Sequence, residues 1–455
     1  MNNIKVPQRR IRLTEIGSIV ICLLFIASFA NRYLVEPILY DEVRIAKDNL
    51  LYSSISTYAD EGSFYDRNGT IISDSGIMNN PDNYSYAWLL GYYTVSQENE
   101  NIFGLRGNLK DYIYFLLDKD NKGATVNLTT DSRIQNFAYT NILNGQEGSV
   151  IVLDNKTGKI LTLASNSTVS YDGNDPISIL SSDIPDSQFR RGTFEKDPPG
   201  STFKVITSIA ALEKAKEEQL NDTFFDYFDD GTYQPEGDEF IITNYNHYSY
   251  GAISLNEAME SSVNCYFADL GVRVGKDRIL DVASRFMLGK DIEIPFLDTI
   301  SSSMDMDDAT IADVAQLSFG QGKTEVTPMN LALIAEAIGN NGVMKQPHIV
   351  DSITHRSFNI YKAKNEDLNK CAEEDVIIRL KEAMHKAALA YGLNENFGEV
   401  YAKTGTAECA NDRLHTYIMV CTDDVSFVIS MNNGDISNSL YGYAQSLLGY
   451  IQSLQ

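Results

Sequence analysis

The spacing of apolar positions changes several times along this chain, and each change marks an element. Ile16 to Ala30 is a charge-free run of fifteen residues, short of the roughly 20 that a bilayer span usually takes. From residue 31 to about 122 the chain is polar, rich in Tyr, Asn, Asp and Ser, with short apolar stretches. Within it, Asp66-Arg67-Asn68-Gly69-Thr70-Ile71-Ile72 predicts a tight turn feeding a strand, because Asn-Gly suits hairpin geometry. From Gly123 the character changes. Residues 124–129 alternate as a strand, and Asp131 is placed to cap a helix through Arg133, Ile134 and Gln135. Residues 148–154 and 159–164 are apolar runs joined by Asn155-Lys156-Thr157-Gly158, which predicts a β-hairpin.

Three helices follow from the same reading. One starts near Ser201, and Phe203, Val205, Ile206, Ile209, Ala210 and Leu212 spread around it, as in a central, largely buried helix. A second covers Leu255 to about Leu270. A third begins after Thr327-Pro328 and stops at the Gly339-Asn340-Asn341-Gly342 breaker. Near the C-terminus, residues 400–403, 416–420 and 425–430 read as successive strands. Helices in the middle, with an antiparallel sheet drawn from both ends, predict an α/β (α+β) domain over 123–455. The polar stretch 36–122 is expected to form a short, β-rich pedestal.

Charge sharpens the N-terminal reading. Lys5, Arg9, Arg10 and Arg12 stand in the first twelve residues without an acid, leaving 33 basic against 62 acidic residues in the rest of a chain of net charge −25. A basic tail (1–12) before an apolar run places the remainder outside the cytoplasm. Leu13 and Tyr33-Leu34-Val35 lengthen the run, so a transmembrane anchor over 13–35 is expected. Ser28-Phe29-Ala30 keeps a cleaved signal peptide as the alternative. The acidic body repels phosphate backbones, which excludes nucleic-acid binding. Five cysteines and five histidines show no metal-ligand spacing, and buried free thiols are the expectation. Neither metal nor cofactor is expected.

Three short motifs carry the chemistry: Ser201-x-x-Lys204, Ser262-Val263-Asn264 and Lys403-Thr404-Gly405. Singly they are weak, since the first two patterns each arise about once by chance in a chain of this size. In order they are rare. A serine hydroxyl is a poor nucleophile without an adjacent base. Three positions along a helix bring the Lys204 amine to the Ser201 side. Burial and a second cation would lower the Lys204 pKa enough for it to act as a neutral base. Ser262 and Asn264 supply a hydroxyl and an amide, suited to relaying a proton and holding a substrate amide. Lys403, Thr404 and Thr406 would bind a substrate carboxylate, and Gly405 would let substrate lie against the strand. The backbone N–H groups of Ser201 and Thr406 are the candidate oxyanion hole. Against each motif stands a plainer reading: a helix cap, a loop turn, and a bulged edge strand.

With these residues in view, the chain resembles the monofunctional class B penicillin-binding proteins, and most of all their short, penicillin-binding-protein-A-like members. Pro198-Pro199-Gly200-Ser201-Thr202-Phe203-Lys204 matches the nucleophile segment of that family. Residues 148–165 match its first hairpin, and Phe319-Gly320-Gln321-Gly322 with Val326-Thr327-Pro328 its Gly-Gln-Gly and Thr-Pro stretch. Two departures stand out: Glu61 occupies the place of an Arg in the pedestal motif, and Cys265 that of a common Thr.

The resemblance implies a serine β-lactamase-like fold and a peptidoglycan DD-transpeptidase. Ser201 would attack the D-Ala-D-Ala amide of a stem peptide, and an amine on a neighbouring stem would accept the acyl group. β-Lactams would acylate Ser201, and a SEDS-type glycan polymerase would be the membrane partner. A DD-carboxypeptidase differs only in using water as acceptor, and a β-lactam-sensing or scaffolding module is a further alternative. A β-lactamase is disfavoured, because no Glu-x-x-Leu-Asn lies between Asn264 and Lys403. A glycosyltransferase domain has no room before Ser201.

Overall fold

The computed structural model describes residues 60–454 apart from 79, 96–99, 118–121, 167–190, 410–412 and 433–436, together with Val20, Ile21, Leu23 and Ile26. The basic tail, almost all of the expected anchor and the start of the pedestal lie outside the described residues. Val20, Ile21, Leu23 and Ile26 are helical and exposed. Among the described residues, no helix is long and apolar enough to cross a membrane.

In chain order, the elements that position the site are strands β1 (Phe64–Tyr65), β2 (Ile71–Ser73) and β3 (Thr125–Leu128), then helix α1 (Ser132–Phe137). The hairpin β4 (Gly148–Asp154) and β5 (Ile160–Asn166) comes next. Helix α2 (Lys204–Glu217) is followed by the short strand β6 (Ile242–Thr243), then α3 (Leu255–Glu260) and α4 (Asn264–Val274). After α5 (Pro328–Gly339) come β7 (Val350–His355), β8 (Phe358–Lys362) and α6 (Glu374–Ala390). Strands β9 (Tyr401–Cys409), β10 (Arg413–Cys421) and β11 (Val425–Asn432) lead to α7 (Tyr441–Ser453).

The central sheet is antiparallel throughout, in the order β9-β10-β11-β4-β5. Side chains alternate across it. Ile151 and Leu153 of β4 join the core that holds α2 and α5, while Val150 and Val152 join the core under α7. Both faces are covered, which is why these strands read as continuous apolar runs and not as alternating ones. From Lys204 to Leu212 every residue of α2 is buried, as expected for a central helix. The Asp131 side chain caps α1 through Arg133 N–H, and Thr327 with Asn330 forms the box that starts α5.

A second sheet, β8-β7-β3-β1-β2, mixes strands from both sides of residue 122. β1 runs parallel to β3, with Phe64 opposite Val126, and forms the predicted hairpin with β2. The Asp66 carboxylate holds the turn by accepting from Asn68 N–H and Thr70 N–H at 2.8 and 2.7 Å, and reaches Ser132 N–H at 3.0 Å. Glu61, the unusual residue of the pedestal motif, is buried against Arg106, whose Nε donates to Glu61 Oε1 at 3.1 Å. Arg106 also donates to Ser73 Oγ and to the carbonyls of Gly91 and Gly76. The Glu61 carboxylate is therefore matched by a buried arginine from another element.

Two expectations about helices need correction. The nucleophile segment opens as a 3-10 turn, Gly200–Phe203, and α2 begins at Lys204 with Phe203 as its N-cap. Ser201 is thus not a capping serine. The helix expected over 255–270 is two helices, broken at Ser262, whose φ of 54° lies in the left-handed region.

Arg106→Met should strand the Glu61 carboxylate in the core and cost about 3 kcal/mol or more, read as a lowered urea midpoint. The double variant with Glu61→Gln should recover much of that loss.

Candidate active site

The broken helix creates the site. A non-glycine residue in the left-handed region costs on the order of 1 kcal/mol or more, and here the bend turns both the carbonyl and the hydroxyl of Ser262 towards Lys204. Lys204 is fully buried. Its Nζ lies 2.8 Å from Ser201 Oγ, 2.7 Å from the Ser262 carbonyl, 3.1 Å from Ser262 Oγ and 2.8 Å from Asn264 Oδ1. Lys403, also fully buried, places its Nζ 2.9 Å from Ser262 Oγ. One hydroxyl therefore sits between two lysine amines.

Burial, and then the charge of Lys403, hold the Lys204 amine well below the ordinary lysine range. A neutral amine has two N–H bonds and one lone pair. The Ser262 carbonyl can only accept. Asn264 presents its oxygen because its Nδ2 donates to the Thr243 carbonyl at 3.2 Å. These two acceptors take both N–H bonds, so the lone pair is left for the hydroxyls of Ser201 and Ser262. The arrangement is that of a base poised on a serine.

Three glycines bring the nucleophile turn to β9. Gly200 has φ 55°, and a side chain there would meet the Thr406 carbonyl at 2.5 Å. Gly320, with φ 83°, would meet the Gly200 carbonyl at 1.8 Å, and it accepts from Gly200 N–H at 2.9 Å. Gly405 lies where a side chain would strike the Pro199 carbonyl and Thr202. Its small size accommodates the nucleophile turn.

Ser201, Lys204, Ser262, Asn264 and Lys403 come together, and the Thr406 backbone lies against Gly200. Thr404 does not join them directly. It is 5% exposed, and its hydroxyl lies 3.2 Å from the Tyr391 hydroxyl, which is itself 3.5 Å from Lys403 Nζ. Its hydroxyl contact with Tyr391 lies beside Lys403.

Tyr391 was invisible in the sequence, because nothing in its surroundings differs from an ordinary helix C-terminus. Asp197 and His415 were missed as well. Asp197 pairs with Val326 through two backbone hydrogen bonds, and its carboxylate accepts from His415 Nδ1 at 2.7 Å. His415 stands opposite Ala407 in the β9–β10 register, so the pair ties the nucleophile turn to the sheet. The position of Asp197 four residues before Ser201 was the one available signal. Cys265, Cys371 and Cys421 are buried free thiols, as expected. Burial pushes the Cys265 thiol up to about 12, so it stays protonated beside the site.

A serine hydroxyl against a buried lysine amine, beside a lysine-bearing strand edge, is the arrangement of a serine acyltransferase on an α/β scaffold. Residues 148–433 match the penicillin binding protein transpeptidase domain, and the chain belongs to that family. It is 31% identical over 353 residues to the peptidoglycan D,D-transpeptidase PbpA of Mycobacterium tuberculosis, covering 71% of this chain and 67% of that one. The E. coli peptidoglycan D,D-transpeptidase MrdA is 28% identical over 247 residues, half of this chain and 38% of its own. The crystal structure of the mycobacterial PBPA superposes with a TM-score of 0.76 at 24% identity, over 87% of this chain and all of that one. A ceftriaxone acyl-enzyme complex of M. tuberculosis penicillin-binding protein A gives 0.74 at 25% identity, over 86% and 97%.

Acylation that uses the neutral Lys204 amine should rise with pH through its depressed pKa and be on its plateau well below pH 10.5, the ordinary lysine value. Lys403→Met removes the neighbouring cation and should move the acid limb of the acylation–pH profile to higher pH. Stopped-flow measurement with a chromogenic cephalosporin reads this shift.

Proposed function

We propose that Ser201 is the nucleophile of this peptidoglycan D,D-transpeptidase and that Lys204 is its base. The observation that carries this reading is the saturation of both Lys204 N–H bonds by the Ser262 carbonyl and Asn264 Oδ1, which leaves the lone pair facing Ser201 Oγ at 2.8 Å. The Ser201 proton passes to Lys204 as Oγ attacks the penultimate D-Ala carbonyl of a stem peptide. The developing oxyanion is held by the N–H groups of Ser201 and Thr406. Ser262, between the two lysines, relays a proton to the departing D-Ala amine. Lys403 and Thr406 hold the terminal carboxylate, and Thr404 acts through Tyr391 to position Lys403. An amine of a neighbouring stem then attacks the acyl-enzyme and closes the cross-link. β-Lactams follow the first half of this path and leave Ser201 acylated.

The same reading gives the chain a cytoplasmic tail (1–12), a single-pass anchor (13–35), a pedestal (36–122) and an extracytoplasmic transpeptidase domain (123–455). The charge-free run 16–30 beside Lys5, Arg9, Arg10 and Arg12 supports this layout. A SEDS-type glycan polymerase, contacted through the anchor and pedestal, is the proposed partner.

Mass spectrometry of the full chain after penicillin treatment should show one adduct on Ser201 and none in Ser201→Ala. Lys204→Met should retain noncovalent binding while acylation falls about 10³-fold. Turnover of a D-Ala-D-Ala stem peptide should shift from hydrolysis to aminolysis when an amine is supplied. Hydrolysis alone would establish a carboxypeptidase instead.

A further inference from the structure

Between Lys216 and Arg273 the chain contains no lysine or arginine, and it carries twelve acidic residues there. Of the six large exposed aromatic side chains among the described residues, five lie in the same stretch: Phe228, Phe240, Tyr245, Tyr248 and Tyr250. Five of the twelve acids, Glu217, Glu218, Asp222, Glu257 and Asp269, form ion pairs, and the other seven lie between residues 226 and 260, the span that carries the five aromatics. Of the acids between residues 226 and 260, Glu257 alone makes an ion pair among the described residues, to Lys386 at 2.9 Å. Asp226, Asp230, Glu236, Glu239 and Glu260 are exposed.

The stretch is bound to the catalytic cluster. Asn264, which accepts from Lys204, donates to the Thr243 carbonyl on β6 at 3.2 Å. Asn244 Oδ1 accepts from Cys265 N–H at 3.0 Å, and Asn244 Nδ2 donates to both oxygens of the buried Asp229 carboxylate. Asp229 also accepts from Tyr250 N–H at 2.8 Å, and the Tyr248 carbonyl accepts from Asn244 Nδ2 at 2.9 Å. The backbone carrying the exposed tyrosines is thus fixed to the start of α4, two hydrogen bonds from the base.

We propose that this acidic, aromatic ledge is where the second substrate binds, an acceptor stem whose primary amine is protonated in solution. The inference rests on the function proposed above. It is argued from charge: Lys403 makes the β9 side of the site cationic and suited to the donor carboxylate, while the ledge makes the Ser262–Asn264 side anionic. A lysine-like ammonium of ordinary pKa about 10.4 is drawn to the acids, and the aromatic faces attract the same cation. Transfer then balances as follows. The bound ammonium gives one proton to solvent, and its lone pair attacks the acyl carbonyl. The C–N bond forms as the C–Oγ bond breaks, and the second amine proton reaches Ser201 Oγ through Lys204.

The test uses the full chain in detergent with an acyl-D-alanyl thioester donor and two acceptors. One is a tripeptide with a free lysyl ε-amine; the other is hydroxylamine, a small nucleophile that is neutral at the assay pH. Because the side chains are exposed, Tyr245→Ser/Tyr248→Ser and Glu236→Gln/Glu239→Gln should fold normally and acylate with penicillin at the wild-type rate. The apparent KM for the lysyl tripeptide should rise about tenfold in the first pair and about fivefold in the second, with the KM for hydroxylamine unchanged. An unchanged lysyl KM in both pairs, or an equal rise with hydroxylamine, overturns the inference. Failure of the wild-type chain to be acylated at Ser201 would instead overturn the function on which it rests.

Discussion

Two buried lysines that share one serine hydroxyl govern the arrangement of this protein. Lys204 and Lys403 are both fully buried, and among the described residues no carboxylate is hydrogen-bonded or ion-paired to either amine. Placing two ammonium ions about Ser262 without a counter-charge would cost several kcal/mol, so one of them stays neutral. Burial and the neighbouring charge of Lys403 single out Lys204, whose N–H bonds then go to two obligate acceptors. The strained Ser262, the break between α3 and α4 and the burial of α2 are all requirements of that selection. A straight helix over 255–270 would leave the Ser262 carbonyl in the helix ladder and unavailable to the amine.

Much of this was legible in the sequence. The central sheet follows from apolar runs whose length and β-branched content fit strands covered on both faces, and the capped helices follow from Asp131 and Thr327-Pro328. The five catalytic candidates were found from motif order, because their spacing is a local helical constraint or a strand-edge constraint. What remained hidden depends on contacts between distant segments. Nothing in Glu260-Ser261-Ser262-Val263 announces a left-handed residue, since serine has no intrinsic preference for it. Tyr391, His415 and Asp197 acquire their meaning only when the end of α6, β10 and the nucleophile turn are placed side by side.

Thr404 and Gly405 illustrate the same limit from the other direction. The sequence reading placed both in the substrate's path, reasoning from residue type alone. In the structure the strand is an edge strand with Tyr391 beside Thr404 and the nucleophile turn against Gly405. Both residues therefore shape the site through contacts with the protein itself. Glu61 is the counterpart in the pedestal: a buried carboxylate that Arg106 matches from a different element.

The mixed sheet β8-β7-β3-β1-β2 bears on how such proteins can be recombined. A crossover at residue 122 looks harmless in sequence, because composition changes there. In three dimensions it parts β1 from β3, which pairs with it in parallel, so one half of a chimera would inherit a strand register unmatched to the other. The heritable module is the whole sheet, whose strands are interleaved along the chain, so a single cut at residue 122 cannot carry it intact.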